Sequence, residues 1–315
     1  MRILFTSVGR RVELVQAYRS AAEKCGERLE IYGGDSSNTA PALQFCDKTV
    51  QLPLIRENAY IPFLVRYCED EKIDALIPTI DTDLMLLAES RGQFQQTRVV
   101  ISDPEKIKLC RDKRLTGKYF LSLGLSSPTP TDDAKEYKSG FPAFIKPKDG
   151  SSSIHAYRAD NAEELLALTE MVPDYIIQPF VSGTEYTIDA FCDFEGNPIL
   201  ITPRIRLAVR AGEVLKTRIV QDQTILDEMM RLIADFKPCG PITVQMIRDE
   251  SGRRDTFIEI NPRYGGGAPL SMKAGADSAE MMIRLLRGER LSYQERAAED
   301  GATYSRFDQS VRVDR

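Results

Sequence analysis

Short apolar segments alternate with helix-length amphipathic stretches over the first hundred residues. No other feature of the chain restricts its fold as much. Residues 3–7, 29–32, 49–52, 74–78 and 98–102 each read as a strand. Between them Leu14, Ala17, Tyr18, Ala21 and Cys25 recur at helical spacing, and residues 60–71 and 82–90 repeat the pattern. Strands alternating with helices predict a parallel, doubly wound sheet. Ligands of such sheets sit at the carboxyl ends of the strands. Here those ends carry Ser7-Val8-Gly9-Arg10, Asp35-Ser36-Ser37 and Thr79-Ile80-Asp81. The first turn holds one glycine, so the GxGxxG fingerprint is absent and NAD is not expected.

Composition narrows the classes further. The 315 residues suffice for two or three compact units. A net charge of −5 argues against a nucleic-acid partner, which calls for a basic surface. No apolar run approaches the ~18 residues of a membrane span, and the opening MRILFTSVGRR reads as a strand and turn, not a signal peptide. The six cysteines are scattered without a CxxC pair, which suggests reduced thiols in a cytoplasmic setting. His155 is the one histidine, which excludes any mechanism or metal site that needs two.

Beyond residue 103, Asp103-Pro104 marks a helix start, with the helix expected to run to about Leu123 and stop at Gly124. Residues 126–131 read as a hinge-like linker. Residues 141–183 read as strand, loop, helix and strand, and 184–219 as β-rich. A helix over 222–236, a hairpin of strands 242–248 and 255–260, a glycine loop and a last helix near 271–287 complete the chain. The expected domains are 1–103, 104–183 and 184–315.

Three segments carry chemistry. In FPAFIKPKDGSSS an apolar strand delivers Lys146 at its end, ahead of Gly150, Ser151, Ser152 and Ser153. A lysine so placed is a point charge for phosphate, and small residues let backbone N–H groups approach anionic oxygens. A surface lysine before an ordinary turn is the alternative. In IIQPFVSGTE, the strand ending at Gln178-Pro179-Phe180-Val181 suits an adenine edge, and Glu185 a ribose; a strand, turn and surface glutamate account for it equally. In the hairpin, Glu259 and Asn261 are two residues apart and share a face with Phe257, while Ile258 and Ile260 take the other. A carboxylate and an amide oxygen together suit Mg²⁺, with Gln245 of the partner strand as a third donor and Arg263 one alternation further on. A solvated hairpin face is the alternative, although Tyr264-Gly265-Gly266-Gly267 packs poorly and favours close ligand approach. Arg204, Arg206 and Arg210 fall on one face of a strand, fit for a carboxylate or phosphate substrate, or else form an exposed basic strand.

Taken in order, Asp112-Lys113, FPAFIKP, GSSS, QPFVSGTEYTID, GPITVQM and IEINPR with Lys273-Ala274-Gly275 resemble the ATP-grasp superfamily. Within it they resemble one synthetase unit of the carbamoyl-phosphate synthase large subunit and related carboxylate–amine ligases, over residues 1–290. The resemblance implies an α/β ATP-grasp fold behind a Rossmann-like pre-ATP-grasp domain, with ATP and Mg²⁺ (or Mn²⁺) as cofactors. It implies Lys113 and Lys146 on the α- and β-phosphates, and Gly150, Ser151, Ser152 and Ser153 in a lid. Gln178 and the backbone of Phe180 and Val181 would face adenine, and Glu185 the ribose. Gln245, Glu259 and Asn261 would hold Mg²⁺, and Arg263 would stabilise the transferring phosphoryl group. Arg204, Arg206, Arg210, Gly265 and Gly266 are the candidate substrate contacts. Many relatives carry an acidic residue where Gln178 stands, and many carry one at the first metal position, where this chain, like carbamoyl-phosphate synthases, has Gln245, so a second metal ion is less supported than one.

The implied activity is ligation of a small, amino-acid-like carboxylate to an amine through an acyl phosphate. The alternatives are an acyl-phosphate-forming subunit of the carbamoyl-phosphate type and a non-catalytic ATP-binding module. The partners expected are small molecules, with no nucleic acid and no membrane, and a homodimer through the first domain is one arrangement. The sequence does not name the carboxylate or the amine.

Overall fold

The computed structural model describes residues 1–149, 154–252 and 254–314. Its first unit is a parallel five-stranded sheet of β1 (Arg2–Thr6), β2 (Glu30–Asp35), β3 (Lys48–Gln51), β4 (Ala75–Pro78) and β5 (Arg98–Val99), in the order β3-β2-β1-β4-β5. The alternation of β1 sorts its side chains onto two cores. Ile3 and Phe5 pack under α1 (Val12–Lys24), while Leu4 joins the far side with α2 (Tyr60–Asp70), α3 (Leu84–Ser90) and α4 (Pro104–Arg111).

The expected helix from 104 to 123 is two helices. Asp112 adopts an extended conformation, ends α4, and caps α5 (Lys113–Ser122) by accepting from the Arg114 N–H at 2.9 Å. The Lys113 N–H donates to the Lys148 carbonyl, which ties the start of α5 to the small sheet. That sheet holds β6 (Ala143–Pro147), β7 (Tyr157–Ala159) and β8 (Tyr175–Pro179) in the order β7-β6-β8, with α6 (Ala162–Thr169) on its apolar face. The three-residue β7 was too short to be legible in the sequence. The segment 126–131 is less free than a hinge: Ser126 bridges to Thr256 and Thr131 to Ile177.

The largest sheet is antiparallel. It comprises β9 (Thr184–Cys192), β10 (Pro198–Arg210), β11 (Glu213–Ile219), β12 (Pro241–Arg248), β13 (Asp255–Asn261) and β14 (Thr303–Ser305), in the order β13-β12-β9-β10-β11-β14. The helix α7 (Gln223–Phe236), capped by Asp222, covers one face through Ile225, Met229, Leu232 and Phe236. The helix expected near 271–287 is also two, α8 (Ala268–Lys273) and α9 (Ser278–Leu286), parted at Gly275, where φ is +115°. The last helices pack on α1, so one apolar core runs from the first unit into the third.

Two further expectations fail for one reason: β-bulges shift the side-chain alternation. In the hairpin, Gln245 faces Glu259 but Met246 faces Phe257, leaving Ile258 as the extra residue. Phe257 and Ile260 therefore both enter the core, and Phe257 does not share the face of Glu259. In β10, register shifts on both sides of Ala208 separate Arg210 from Arg204 and Arg206.

Candidate functional site

A cleft of about 700 Å³ lies between the small sheet and the large one. Its walls include Phe144 and Lys146 from β6, Glu185 from β9, Arg206 from β10, Gln245 from β12 and Ile258 and Glu259 from β13. A smaller cavity of about 70 Å³, lined by Asp81, Cys110, Asp149 and Asn261, shares Lys113 and Glu259 with it. The two spaces therefore meet at a lysine and a carboxylate. Alternation on β6 produces half of this arrangement. Ala143 and Ile145 turn into the small core, so Phe144 and Lys146 must turn to the cleft.

Lys146 is buried, 7% exposed, and its Nζ lies 5.7 Å from the centre of the Phe144 ring. Among the described residues its ammonium makes no hydrogen bond or salt bridge. Burial lowers its pKa to about 8, with Glu259 pulling upward and Lys113 pushing further down. Burial likewise lowers the pKa of Lys113, against the pull of Glu259, Asp149 and Asp81. Both ammonium groups thus feel the Glu259 carboxylate.

The opposite wall is polar by register. Thr187 pairs with Gln245, Gln245 with Glu259, and Thr243 with Asn261, which gathers these side chains on the face away from α7. Glu259 Oε1 accepts from Asn261 Nδ2 at 2.9 Å, and Asn261 Oδ1 accepts from Arg263 Nη2 at 3.3 Å. The Gln245 Oε1 atom accepts from Arg206 Nη1 at 3.2 Å, so that oxygen is already engaged. Among the described residues no three His, Cys, Asp or Glu side chains form a metal-binding group. The Asn261 oxygen is engaged as well, by Arg263, so a hard cation held by Glu259 and Asn261 would share that oxygen and take its remaining ligands from phosphate and water.

Arg263 also donates to Asp81 Oδ2 at 2.6 Å and to the Tyr264 carbonyl at 3.2 Å. Asp81 does not cap α3; Asp83 stands at that position and makes no capping bond. Asp83 instead accepts from Thr6 and Tyr60 hydroxyls, and burial raises its pKa to about 6.

The remaining predicted residues divide. Gln178 shares the cleft face of β8 with Phe144, but it is buried and its amide donates to the Pro128 carbonyl at 3.1 Å. The Phe180 N–H donates to the Pro142 carbonyl. Glu185 is exposed in the cleft wall, 3.6 Å from Arg206 Nε. Gly150, Ser151, Ser152 and Ser153 lie outside the described residues. Of the three strand arginines, only Arg206 reaches the cleft. Arg204 is 1% exposed and pairs with Asp189, at 2.7 Å from Nε, beneath Ser271. Arg210 points outward to Asp308 at 3.0 Å.

The glycine loop approaches the protein's own side chains. A Cβ on Gly265 would stand 2.8 Å from Thr243 Oγ1, one on Gly266 would collide with Glu213 Oε2, and one on Gly267 would stand 2.7 Å from Arg204 Nη2. Sequence reasoning missed Arg11 and Glu213. Arg10 and Arg11 form a doublet after β1, and nothing in the sequence says which turns inward; Arg10 is exposed and Arg11 is not.

Comparison with known proteins bears on the family. A family model described as "PylC-like, N-terminal domain" matches residues 3–101. A second, "ATP-grasp in the biosynthetic pathway with Ter operon", matches residues 171–309. The chain is 26% identical over 191 residues to the 3-methyl-D-ornithine–L-lysine ligase of Methanosarcina mazei, covering 60% of this chain and 48% of that protein. It is 24% identical over 284 residues to the carbamoyl phosphate synthase large chain of Deinococcus radiodurans, covering 79% of this chain and 27% of that one. The chain thus spans about half the length of the ornithine–lysine ligases it matches. Among solved structures, the biotin carboxylase domain of Hydrogenobacter thermophilus 2-oxoglutarate carboxylase, bound to MgADP, superposes with a TM-score of 0.77 at 18% identity. That match covers 96% of this chain and 73% of that one. The L-amino acid ligase of Bacillus licheniformis gives 0.71 at 17% identity, covering 91% and 74%.

Proposed function

The chain belongs to the ATP-grasp superfamily, and from that premise we propose that it is an ADP-forming carboxylate–amine ligase acting on a small, amino-acid-like carboxylate. The observation that carries this reading is the Lys146 ammonium, which is buried, makes no ion pair among the described residues and faces Glu259 across a cleft. A buried unpaired charge is costly, and a nucleotide triphosphate offsets that cost.

In this reading Lys146 and Lys113 hold the α- and β-phosphates. The Phe180 carbonyl and Val181 backbone meet the adenine edge, and Glu185 meets the ribose. Glu259 and Asn261 hold Mg²⁺, with Gln245 kept in second place by its bond to Arg206. When bound, the metal neutralises charge on the phosphates. A substrate carboxylate oxygen attacks the γ-phosphorus, the bond to the β-phosphate oxygen breaks, and ADP leaves an acyl phosphate. The amine then attacks the acyl carbon, phosphate departs, and the nitrogen gives up a proton. Arg263 lies against the phosphoryl group through both steps. Positioning and charge neutralisation account for such chemistry without a histidine.

Relatives named as ornithine–lysine, D-alanine and L-amino acid ligases support the amino-acid class. A cytoplasmic setting belongs to the same proposal, since six separate thiols suit a reducing compartment. So does a homodimer through the first domain, the biotin carboxylase domain above being described as a dimer.

The test is ADP release from Mg·ATP with pooled amino acids, small carboxylates and bicarbonate, with and without pooled amines. A pool-dependent signal lost in Lys146→Ala supports the ligase. A signal with bicarbonate alone favours carbamoyl-phosphate-type chemistry. Nucleotide binding with no pool-dependent release contradicts the ligase reading.

A further inference from the structure

Arg11 stands where the central strand β1 ends, beside the crevice at which the order of the first sheet reverses between β1 and β4. Ligands of doubly wound sheets occupy that crevice. The Arg11 guanidinium reaches across it to the Thr79 carbonyl, at 3.4 Å from Nη2. On its other side it meets the third unit, with Nη1 at 3.5 Å from Glu213 Oε1.

Both contacts are long for a guanidinium. Arg248, which serves structure, donates to Asp222 and Asp255 at 2.6 to 3.1 Å through four bonds. Among the described residues Arg11 has no comparable carboxylate, and the one it touches is shared: Arg306 Nη1 lies 3.3 Å from Glu213 Oε2. Burial lowers its pKa, and Arg263 and Arg306 add to that. Arg263 is nearby and keeps its own Nε buried without a partner. The domain boundary therefore presents two guanidiniums with unfilled donor capacity, closed from above by the Gly266 backbone. A Cβ there would stand 2.8 Å from Arg11 Nη1.

On the ligase reading, we infer that Arg11 is a substrate-binding residue, which holds the carboxylate to be activated across the domain boundary from Arg263. A planar fork matches the two carboxylate oxygens. Glu213, half-exposed and retained by Arg306, gives way when the substrate arrives. The first unit thus supplies a residue to the reaction, and the substrate bridges the two units.

The test uses the intact chain, Arg11→Gln and Arg11→Lys. With the amino acid that supports ADP release, Arg11→Gln is expected to raise KM for that carboxylate by about 30-fold or more. KM for ATP should stay within about 3-fold, and Arg11→Lys should recover part of the loss. An unchanged carboxylate KM overturns the assignment, as does a parallel rise in KM for ATP. A second readout needs no turnover: the thermal shift given by each proteinogenic amino acid in the presence of Mg²⁺ and a non-hydrolysable ATP analogue. The amino-acid shift should vanish in Arg11→Gln while the nucleotide shift persists. An amino-acid shift retained in Arg11→Gln, or absent from the wild-type protein, overturns the role of Arg11. Loss of the nucleotide shift from the wild-type protein would instead sink the ligase reading.

Discussion

Arg263 and Asp81 are 182 residues apart in sequence and form a 2.6 Å ion pair across the boundary between the first and third units. This pair fixes the guanidinium that stands against the transferring phosphoryl group in the proposed reaction. Asp81→Asn keeps the shape and removes the charge. Turnover is expected to fall by about tenfold or more, with nucleotide affinity within about 3-fold. Steady-state kcat and a nucleotide titration check this. An unchanged kcat would show that Asp81 does not set Arg263.

Glu259 is the one carboxylate of the proposed metal site. Glu259→Ala removes it and also the main counter-charge of Lys146. Mg·ATP turnover is expected to drop by about a hundredfold or more while the circular dichroism spectrum is unchanged. Full activity in a folded Glu259→Ala would remove the metal assignment.

Nucleotide binding should weaken at high pH. Burial brings the Lys146 ammonium to about 8, so the free protein loses that charge as pH rises through 8. Affinity for a non-hydrolysable ATP analogue is expected to fall by up to about tenfold per pH unit above that point. Lys146→Arg stays charged and should give a flatter profile. Parallel profiles from the two proteins would mean that another group titrates.

Asp83 gives a stability prediction of opposite direction to the usual carboxylate. Its folded pKa is raised by burial from 3.8 to about 6. Between those values the folded protein binds more protons than the unfolded one, so stability falls as pH rises through the window. The penalty is complete above about 6 and absent below 3.8. Relative to Asp83→Asn, the wild-type protein should gain up to about 3 kcal/mol on acidification from neutral pH. Urea midpoints at several pH values measure the difference; a constant offset would contradict it.

Arg204 is expected to act through stability. Arg204→Met leaves Asp189 buried with Ser271 as its remaining side-chain donor, which costs about 3–5 kcal/mol. A stable Arg204→Met with a raised substrate KM would return Arg204 to the substrate site.

The sequence shows most of the fold because alternation and turn chemistry agree there. β1, β3, β4, α1 and α2 fall within two residues of their expected bounds, while β2 runs three residues further, to Asp35. It misses the break at Asp112 because that residue ends one helix and caps the next, which helical spacing alone does not register. It misplaces Phe257 and Arg210 because each lies one bulge away from a residue whose face it was assumed to share. Lys146 and Glu259 reach the same cleft, and Asn261 the cavity beside it, from two short segments whose strand alternation the sequence displays. Arg11 and Glu213 are not legible there, since their meeting depends on how the first unit docks on the β10–β11 hairpin. The glycine loop is no open space either, being packed on Thr243, Glu213 and Arg204 of its own unit.

The central claim is that a carboxylate oxygen attacks the γ-phosphate of ATP. The measurement that tests it most directly uses amino acids labelled with ¹⁸O in their carboxylates, incubated with Mg·ATP, an amine pool and the protein. One labelled oxygen should appear in each inorganic phosphate released, alongside ADP. Unlabelled phosphate, or AMP with pyrophosphate, would contradict the account.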